Sequence, residues 1–249
     1  MAVLTGANKH HGNLRSIKRM QGDVRSQKPG FLLYIPYLKE QNMSALIQTF
    51  EKKAVLVSAI VSRVTSLQQA FEYTVDLCTK KKACQILSAG CEEGLSAQAA
   101  DLCKLKQWGK IIAAPAFSPE ELDQLVPLAK EQGISVIKNN MRQHLGGIDI
   151  GLTMCESGIA ETGSLVLESS SEELRLATML SEVHVAIIPA SKIVPTANDM
   201  SDDLKDMMRK NPNYLAFITG ASRTADIERV LALGVHGPLE LHILIQEDN

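Results

Sequence analysis

The sequence predicts an α/β domain, a mostly parallel sheet flanked by helices, and two observations carry that prediction. Short apolar runs, many of them β-branched, alternate with stretches whose apolar residues recur at helical spacing. Between them stand Ser, Pro and Gly, where helix starts and stops need them. The chain has 249 residues, 45% of them hydrophobic, enough for one good-sized domain with its own core.

The regular pattern starts at Met43, which sets residues 1–42 apart from a single domain over residues 43–249. The first segment carries Lys9, Arg15, Lys18, Arg19, Arg25, Lys28 and Lys39 against only Asp23 and Glu40. It is expected to be a disordered basic extension, or sequence upstream of the true start codon; the sharper alternative is an arm for an acidic partner or nucleic acid. From Met43 on, Ser44 is placed to cap a helix toward Lys53, and Val57 to Val64 reads as a strand. Ser66 caps a second helix with Leu67, Ala70, Phe71, Thr74, Val75 and Cys78 on one face. Cys84 to Leu87 reads as a short strand, Leu95 to Leu105 as a helix and Ile111 to Ala114 as a strand.

Ser118-Pro119-Glu120-Glu121 is a helix start in which Ser caps, Pro fits the first turn and the carboxylates face the positive end of the dipole. Gly133 ends that helix, and Ile134 to Ile137 is the next strand. Ile148 to Met154 and Ser164 to Leu167 read as strands around a turn at Glu156 to Gly163. Ser169 and Ser170 each have Glu three residues on, so either is placed to open a capping box for a helix through Leu180. His184 to Ile188 is a strand closed by Pro189, and Ala197 to Pro212 is polar and helical in places. Tyr214 to Thr219 reads as a central strand, Thr224 to Leu233 as a short helix and Leu239 to Ile245 as the final strand.

Composition narrows the function classes. A net charge of −2 supplies no global field for nucleic acid, and 4% aromatic residues make a base-stacking surface improbable. No apolar run approaches the roughly 20 residues of a membrane helix. Phe31 to Ile35 is too short for a signal peptide, so the expected location is the cytoplasm. The cysteines (Cys78, Cys84, Cys91, Cys103 and Cys155) are odd in number and never at C-x-x-C spacing. That is neither a disulfide framework nor a metal-ligand pattern, so no metal and no cofactor is expected on this chain alone.

No two glycines stand at G-x-G spacing. Gly146/Gly151 and Gly158/Gly163 have P-loop separation, but Leu152 and Ser164 stand where Lys is needed. Gly220-Ala221-Ser222-Arg223-Thr224 lacks the second glycine of a nucleophile elbow. A self-sufficient nicotinamide dehydrogenase, nucleotide hydrolase or zinc hydrolase is therefore disfavoured.

Three stretches carry chemistry. The first is Gly151-Leu152-Thr153-Met154-Cys155-Glu156-Ser157-Gly158 running on through Glu161-Thr162-Gly163-Ser164 to Leu167. The second is His184-Val185-Ala186-Ile187-Ile188-Pro189-Ala190-Ser191-Lys192-Ile193-Val194-Pro195. The third is Thr219-Gly220-Ala221-Ser222-Arg223-Thr224-Ala225-Asp226-Ile227-Glu228, followed by Gly234-Val235-His236-Gly237-Pro238. Arg223 lies between two hydroxyls after a strand. Followed by a helix, Ser222, Arg223, Thr224 and backbone N–H groups would form an anion site for a small carboxylate. The plainer alternative is a helix cap with Arg223 paired to Asp226 or Glu228. His236 in its glycine-rich turn is a weak candidate for proton transfer beside Gly237, or simply part of a tight turn. Glu161 and Thr162 are turn residues, or the rim of the same pocket, with Glu161 a weak catalytic candidate. His184 reads as a satisfied core histidine.

In this order the three stretches closely resemble the LUD domain of the lactate utilization protein C family, from about Met43 to the C-terminus. The family pattern usually has aromatic or small residues where this chain has Cys155-Glu156-Ser157. The resemblance implies a fold like that of ribose-phosphate isomerases, glucosamine-phosphate deaminases and CoA transferases. It implies a subunit of a system that oxidises L-lactate to pyruvate with iron–sulfur and cysteine-rich partner subunits, which would hold the iron–sulfur clusters. The alternatives are a non-catalytic assembly or regulatory subunit that binds an anion, and a stand-alone acyl- or phosphosugar-transforming enzyme of the related fold.

Overall fold

The computed structural model describes residues 29–81, 109–144, 147–209, 214–225, 231–233 and 237–248. Residues 43–249 form one compact unit. The expected strand at Cys84 to Leu87 and helix at Leu95 to Leu105 lie outside the described residues.

Six strands make a parallel sheet: β1 (Ala59–Val64), β2 (Lys110–Ala113), β3 (Ile134–Ile137), β4 (Ile148–Met154), β7 (Ser181–Pro189) and β12 (Glu240–Gln246), in the order β1-β12-β7-β4-β2-β3. The central strands β4 and β7 are buried along nearly their whole length, as a parallel sheet covered on both faces requires. A second sheet holds β5 (Ser157–Ile159), β6 (Ser164–Glu168), β8 (Ile193–Val194) and β9 (Leu215–Ile218), in the order β8-β5-β6-β9.

Helices α2 (Leu67–Lys80) and α3 (Pro119–Glu131) cover one face of the large sheet. There Phe71, Val75, Cys78, Leu125 and Ala129 pack on Ile112, Ile150, Leu152, Val185 and Ile187. Both helices start as the sequence predicts. Ser66 accepts a hydrogen bond from Gln69 N, and Ser118 forms a full capping box with Glu121. The helix ending after Glu131 is closed by Gly133 at φ +68°.

The opposite face is covered in two parts. Over β2 and β4 lies α4 (Glu172–Leu180), whose backbone approaches so closely that a Cβ on Gly151 would stand 2.4 Å from Ala177 O. Beside it, Ile47, Phe50 and Ala54 of α1 (Pro29–Leu56) pack with Leu165 and Leu167 of the small sheet against Ala186, Ile188, Leu241 and Ile243. A last helix, α5 (Ser201–Arg209), buries none of its residues.

Four expectations need correction. The first helix does not start at Ser44 but runs from Pro29. Ser169 and Ser170 do not cap α4; its N-cap is Ser171. The strand after Tyr214 is not central: among the described residues β9 pairs only with β6, at the rim of the small sheet, and Phe217 on it is 52% exposed. Finally, the helix expected over Thr224 to Leu233 is replaced at both ends by strands. Arg223–Ala225 (β10) pairs antiparallel with Leu231–Leu233 (β11). The antiparallel pairing of the two short strands, decided by residues distant along the chain, overrides the helix expected there.

Candidate functional site

A cavity of about 450 Å³ opens between the end of α4 and the chain that follows β9. Its floor is His184 on β7 and Leu241 on β12, which stand opposite each other in the parallel register. Thr178 and Met179 of α4 form one wall, and Ala216 to Ser222 with Gly237 and Pro238 form the other. Of the residues expected at the site, Ser222 and Gly237 therefore meet here. They are held together by Ser222 N donating to Pro238 O (3.0 Å). A Cβ on Gly237 would come within 3.2 Å of the Ser222 Cβ, so the two turns pack closely at that glycine.

The other candidates lie elsewhere or beyond description. The backbone of Arg223 and Thr224 is in β10, but their side chains, and His236 altogether, lie outside the described residues. Glu161 and Thr162 are exposed on the turn between β5 and β6 and do not line this cavity. The Glu161 carboxylate accepts a hydrogen bond from Ala197 N (3.1 Å), a contact that pins the turn. The anion site expected at a helix N-terminus loses its helix, and the Ser222 N–H is already spent. Nor does the cavity sit at the C-terminal ends of the strands, for His184 and Leu241 belong to the N-terminal halves of β7 and β12.

The residue that sequence reasoning underrated is His184. It is 2% exposed and its Nε2 lies 2.8 Å from Thr153 Oγ1, so it is the satisfied buried histidine expected, yet it also forms the cavity floor. Burial lowers its pKa to about 4, so the ring is neutral at pH 7. A polar contact also reaches the opposite wall: Ser164 Oγ is 2.6 Å from Thr219 Oγ1. Thr153 and Ser164 both belong to the first signature stretch, so they stand directly behind residues of the second and third.

Two further cavities flank the sheet. One, of about 620 Å³, lies past the C-terminal ends of β4 and β7 and is lined by Cys155, Glu156, Lys192, Asp203 and Asp206 among others. There Glu156 Oε2 accepts a hydrogen bond from Glu168 N (2.7 Å), and burial pushes the Cys155 thiol pKa far up. The other, of about 450 Å³, lies at the N-terminal ends, beside Lys81, Glu182 and Glu240. The larger of the two is lined by the first and second signature stretches, and neither is lined by the Thr219 to Ser222 segment of the third. Among the described residues no group of three or more His, Cys, Asp and Glu side chains is arranged to hold a metal ion, and no helix is long and apolar enough to cross a membrane.

Comparison with known proteins agrees with this architecture. A lactate utilization protein C of Bacillus velezensis is 38% identical over 103 residues, covering 40% of this chain and 43% of that protein. The protein of the same name from Bacillus subtilis is 36% identical over the same shares. An uncharacterized protein of Neisseria meningitidis is 36% identical over 133 residues, 53% of this chain and 54% of that one. The match thus spans less than half the length of the Bacillus relatives. The crystal structure of a DUF162 family protein from Deinococcus radiodurans superposes with a TM-score of 0.52 at 16% identity, covering 82% of this chain and 98% of that one, a likeness of fold. Residues 47–246 match the LUD domain along nearly the entire compact unit, and the chain belongs to the LUD domain family.

Proposed function

We propose that this chain serves lactate utilization, as a subunit that binds a small carboxylate in the cavity above His184. The single observation that carries the reading is how the three signature stretches converge there. His184 comes from the second, Thr219, Ser222 and Gly237 from the third, and Thr153 and Ser164 of the first support them through hydrogen bonds. The name shared by the Bacillus relatives supplies the substrate class. Lactate and pyruvate differ by two electrons and two protons, and the electrons need a carrier. The sequence has neither a dinucleotide fingerprint nor paired cysteines, so the carrier is assigned to iron–sulfur and cysteine-rich partner subunits.

The test has two arms. Native co-purification with mass spectrometry and iron analysis should recover iron-bearing partners; recovery of the chain alone and iron-free counts against a shared system. Calorimetric titration with lactate, pyruvate and phosphate should show carboxylate binding to the chain. Arg223→Lys should weaken that binding, because a point charge does not replace a planar guanidinium. Turnover of an acyl or sugar-phosphate substrate by the isolated chain would favour an enzyme of the related fold instead.

A further inference from the structure

The cavity above His184 is larger than lactate fills. Its volume of about 450 Å³ has room for roughly fifteen waters, at about 30 Å³ for each in the liquid. Lactate has fewer than half that many non-hydrogen atoms, and pockets of this size ordinarily enclose most of a much bigger ligand. The lining points the same way. Ala216, Ile218, Ala221, Pro238, Leu241 and Met179 give the cavity apolar surface on both walls and the floor. Of the polar side chains there, Thr178 Oγ1 donates to Arg175 O (2.9 Å), Thr219 Oγ1 lies 2.6 Å from Ser164 Oγ, and His184 Nε2 lies 2.8 Å from Thr153 Oγ1. Each of these already spends hydrogen-bonding capacity inside the protein.

The two walls differ in kind. Met179, one residue before the end of α4, is 60% exposed. Its unbranched thioether side chain adapts to whatever apolar group is laid against it. On the other wall Ile218 is partly buried and packs on the core cluster that holds Leu241, so it is fixed in place. An apolar group that displaces water from between such surfaces gains about fourfold in affinity per buried methylene. Lactate, with a single methyl group, forgoes most of that gain. We propose that the cavity binds 2-hydroxy acids larger than lactate, with a branched or aromatic side chain, more tightly than lactate itself, and that Met179, Ile218 and Leu241 set this preference by packing on that side chain. This rests on the reading of the cavity as a carboxylate site and adds the class of acid that it selects.

The experiment is calorimetric titration of the full chain with lactate, 2-hydroxy-4-methylpentanoate, 3-phenyllactate and benzyl alcohol, which offers an aromatic ring without a carboxylate. The expected result is that both larger acids bind about 10-fold or more tightly than lactate, and benzyl alcohol far more weakly than phenyllactate. Met179→Ser, at an exposed position, should leave the melting temperature and lactate binding as they are and weaken phenyllactate binding several-fold. Lactate bound as tightly as the larger acids, or more tightly, overturns the proposal and leaves the carboxylate site standing. Tight phenyllactate binding that Met179→Ser does not change puts the acid elsewhere and overturns the assignment to this cavity. Benzyl alcohol bound as tightly as phenyllactate, or no binding of any acid, removes the carboxylate site itself and the proposal with it.

Discussion

Gly163 and Gly220 close on the same turn of chain, the end of α1, from two places on the small sheet. A Cβ on Gly163 would lie 2.3 Å from Ala54 N, and one on Gly220 would lie 2.1 Å from Val57 O. Both glycines hold positive φ, +67° and +74°. Between them, the Ser164–Thr219 hydroxyl contact links β6 to the end of β9. The turn that lines the cavity is therefore seated against α1 by backbone contact, with no side chain in between.

That arrangement predicts a graded cost. Gly133 also has positive φ (+68°), but a Cβ there meets nothing within 4 Å. Gly133→Ala should cost only the backbone strain, about 1–2 kcal/mol. Gly220→Ala adds a collision with the backbone and should cost ~3 kcal/mol or more. With about 2–4 °C per kcal/mol for a domain of this size, thermal melts should separate the two variants clearly. Equal melting temperatures would mean that the Val57 contact relaxes without cost.

Lys81 joins two carboxylates at the N-terminal ends of β4 and β7. Its Nζ lies 2.6 Å from Glu182 Oε2 and 3.3 Å from Asp149 Oδ1, and all three side chains are about 10% exposed. Burial by itself would pull the ammonium pKa down. The Glu182 hydrogen bond and the two negative charges outweigh it and hold the pKa above the usual value. Removing the cation leaves two buried carboxylates facing each other, so Lys81→Met should lose ~3–5 kcal/mol in urea titration. Lys205 bonds Asp202 at 2.8 Å on an exposed helix, and Lys205→Met should lose less than about 1 kcal/mol. Comparable losses from the two variants would show that the Lys81 cluster adds nothing beyond a surface pair.

Much of the architecture was legible because single residues act locally. Ser66, Ser118 and Gly133 cap or stop helices through contacts within one turn, and short apolar runs located every strand of the parallel sheet among the described residues. What was illegible depended on partners distant in sequence. Apolar spacing between Thr224 and Leu233 fits a helix and a hairpin equally well, and only the pairing of Arg223 with Leu233 decides it. Tyr214 to Thr219 is apolar enough for a central strand, yet it is an edge strand in a second sheet that periodicity does not reveal. At the cavity, Ser222 and Gly237 are residues that their motifs singled out. His184 was read as core because burial and cavity lining give the same apolar context in sequence; the available signal was a polar residue in an otherwise apolar strand, with Thr153 on another.

The two described cysteines should be chemically silent in the folded protein. Burial, with the nearby Asp149 charge, pushes the Cys78 thiol up to about 12, and burial with the Glu156 charge raises Cys155 further. At pH 8 a thiol with a pKa near 12 is about one part in ten thousand thiolate, and the thiolate is the reactive form. Alkylation followed by peptide mass mapping should leave Cys78 and Cys155 unmodified under native conditions and label both in denaturant. Rapid native labelling of Cys155 would show that the cavity past β4 opens far enough to admit reagent and water.

The last prediction concerns His184 and pH. Its folded-state pKa, about 4, lies below the ordinary value of 6.5 because burial penalises the charged ring. Between those two values the unfolded chain binds a proton that the folded chain does not, so unfolding is favoured as pH falls. The contribution of His184 is fully present above about pH 6.5 and is lost as pH drops toward about 4, on the order of 3 kcal/mol in total. Carboxylates titrate over part of the same range, so the wild type alone does not isolate the effect. His184→Asn keeps a polar group toward Thr153 but does not titrate. Urea unfolding at pH 7, 5.5 and 4.5 should show a steeper loss for the wild type than for His184→Asn, with the gap in stability narrowing as pH falls. Parallel curves would mean that the ring takes up its proton in the folded state as readily as in the unfolded chain, and that burial on β7 is not what sets its charge.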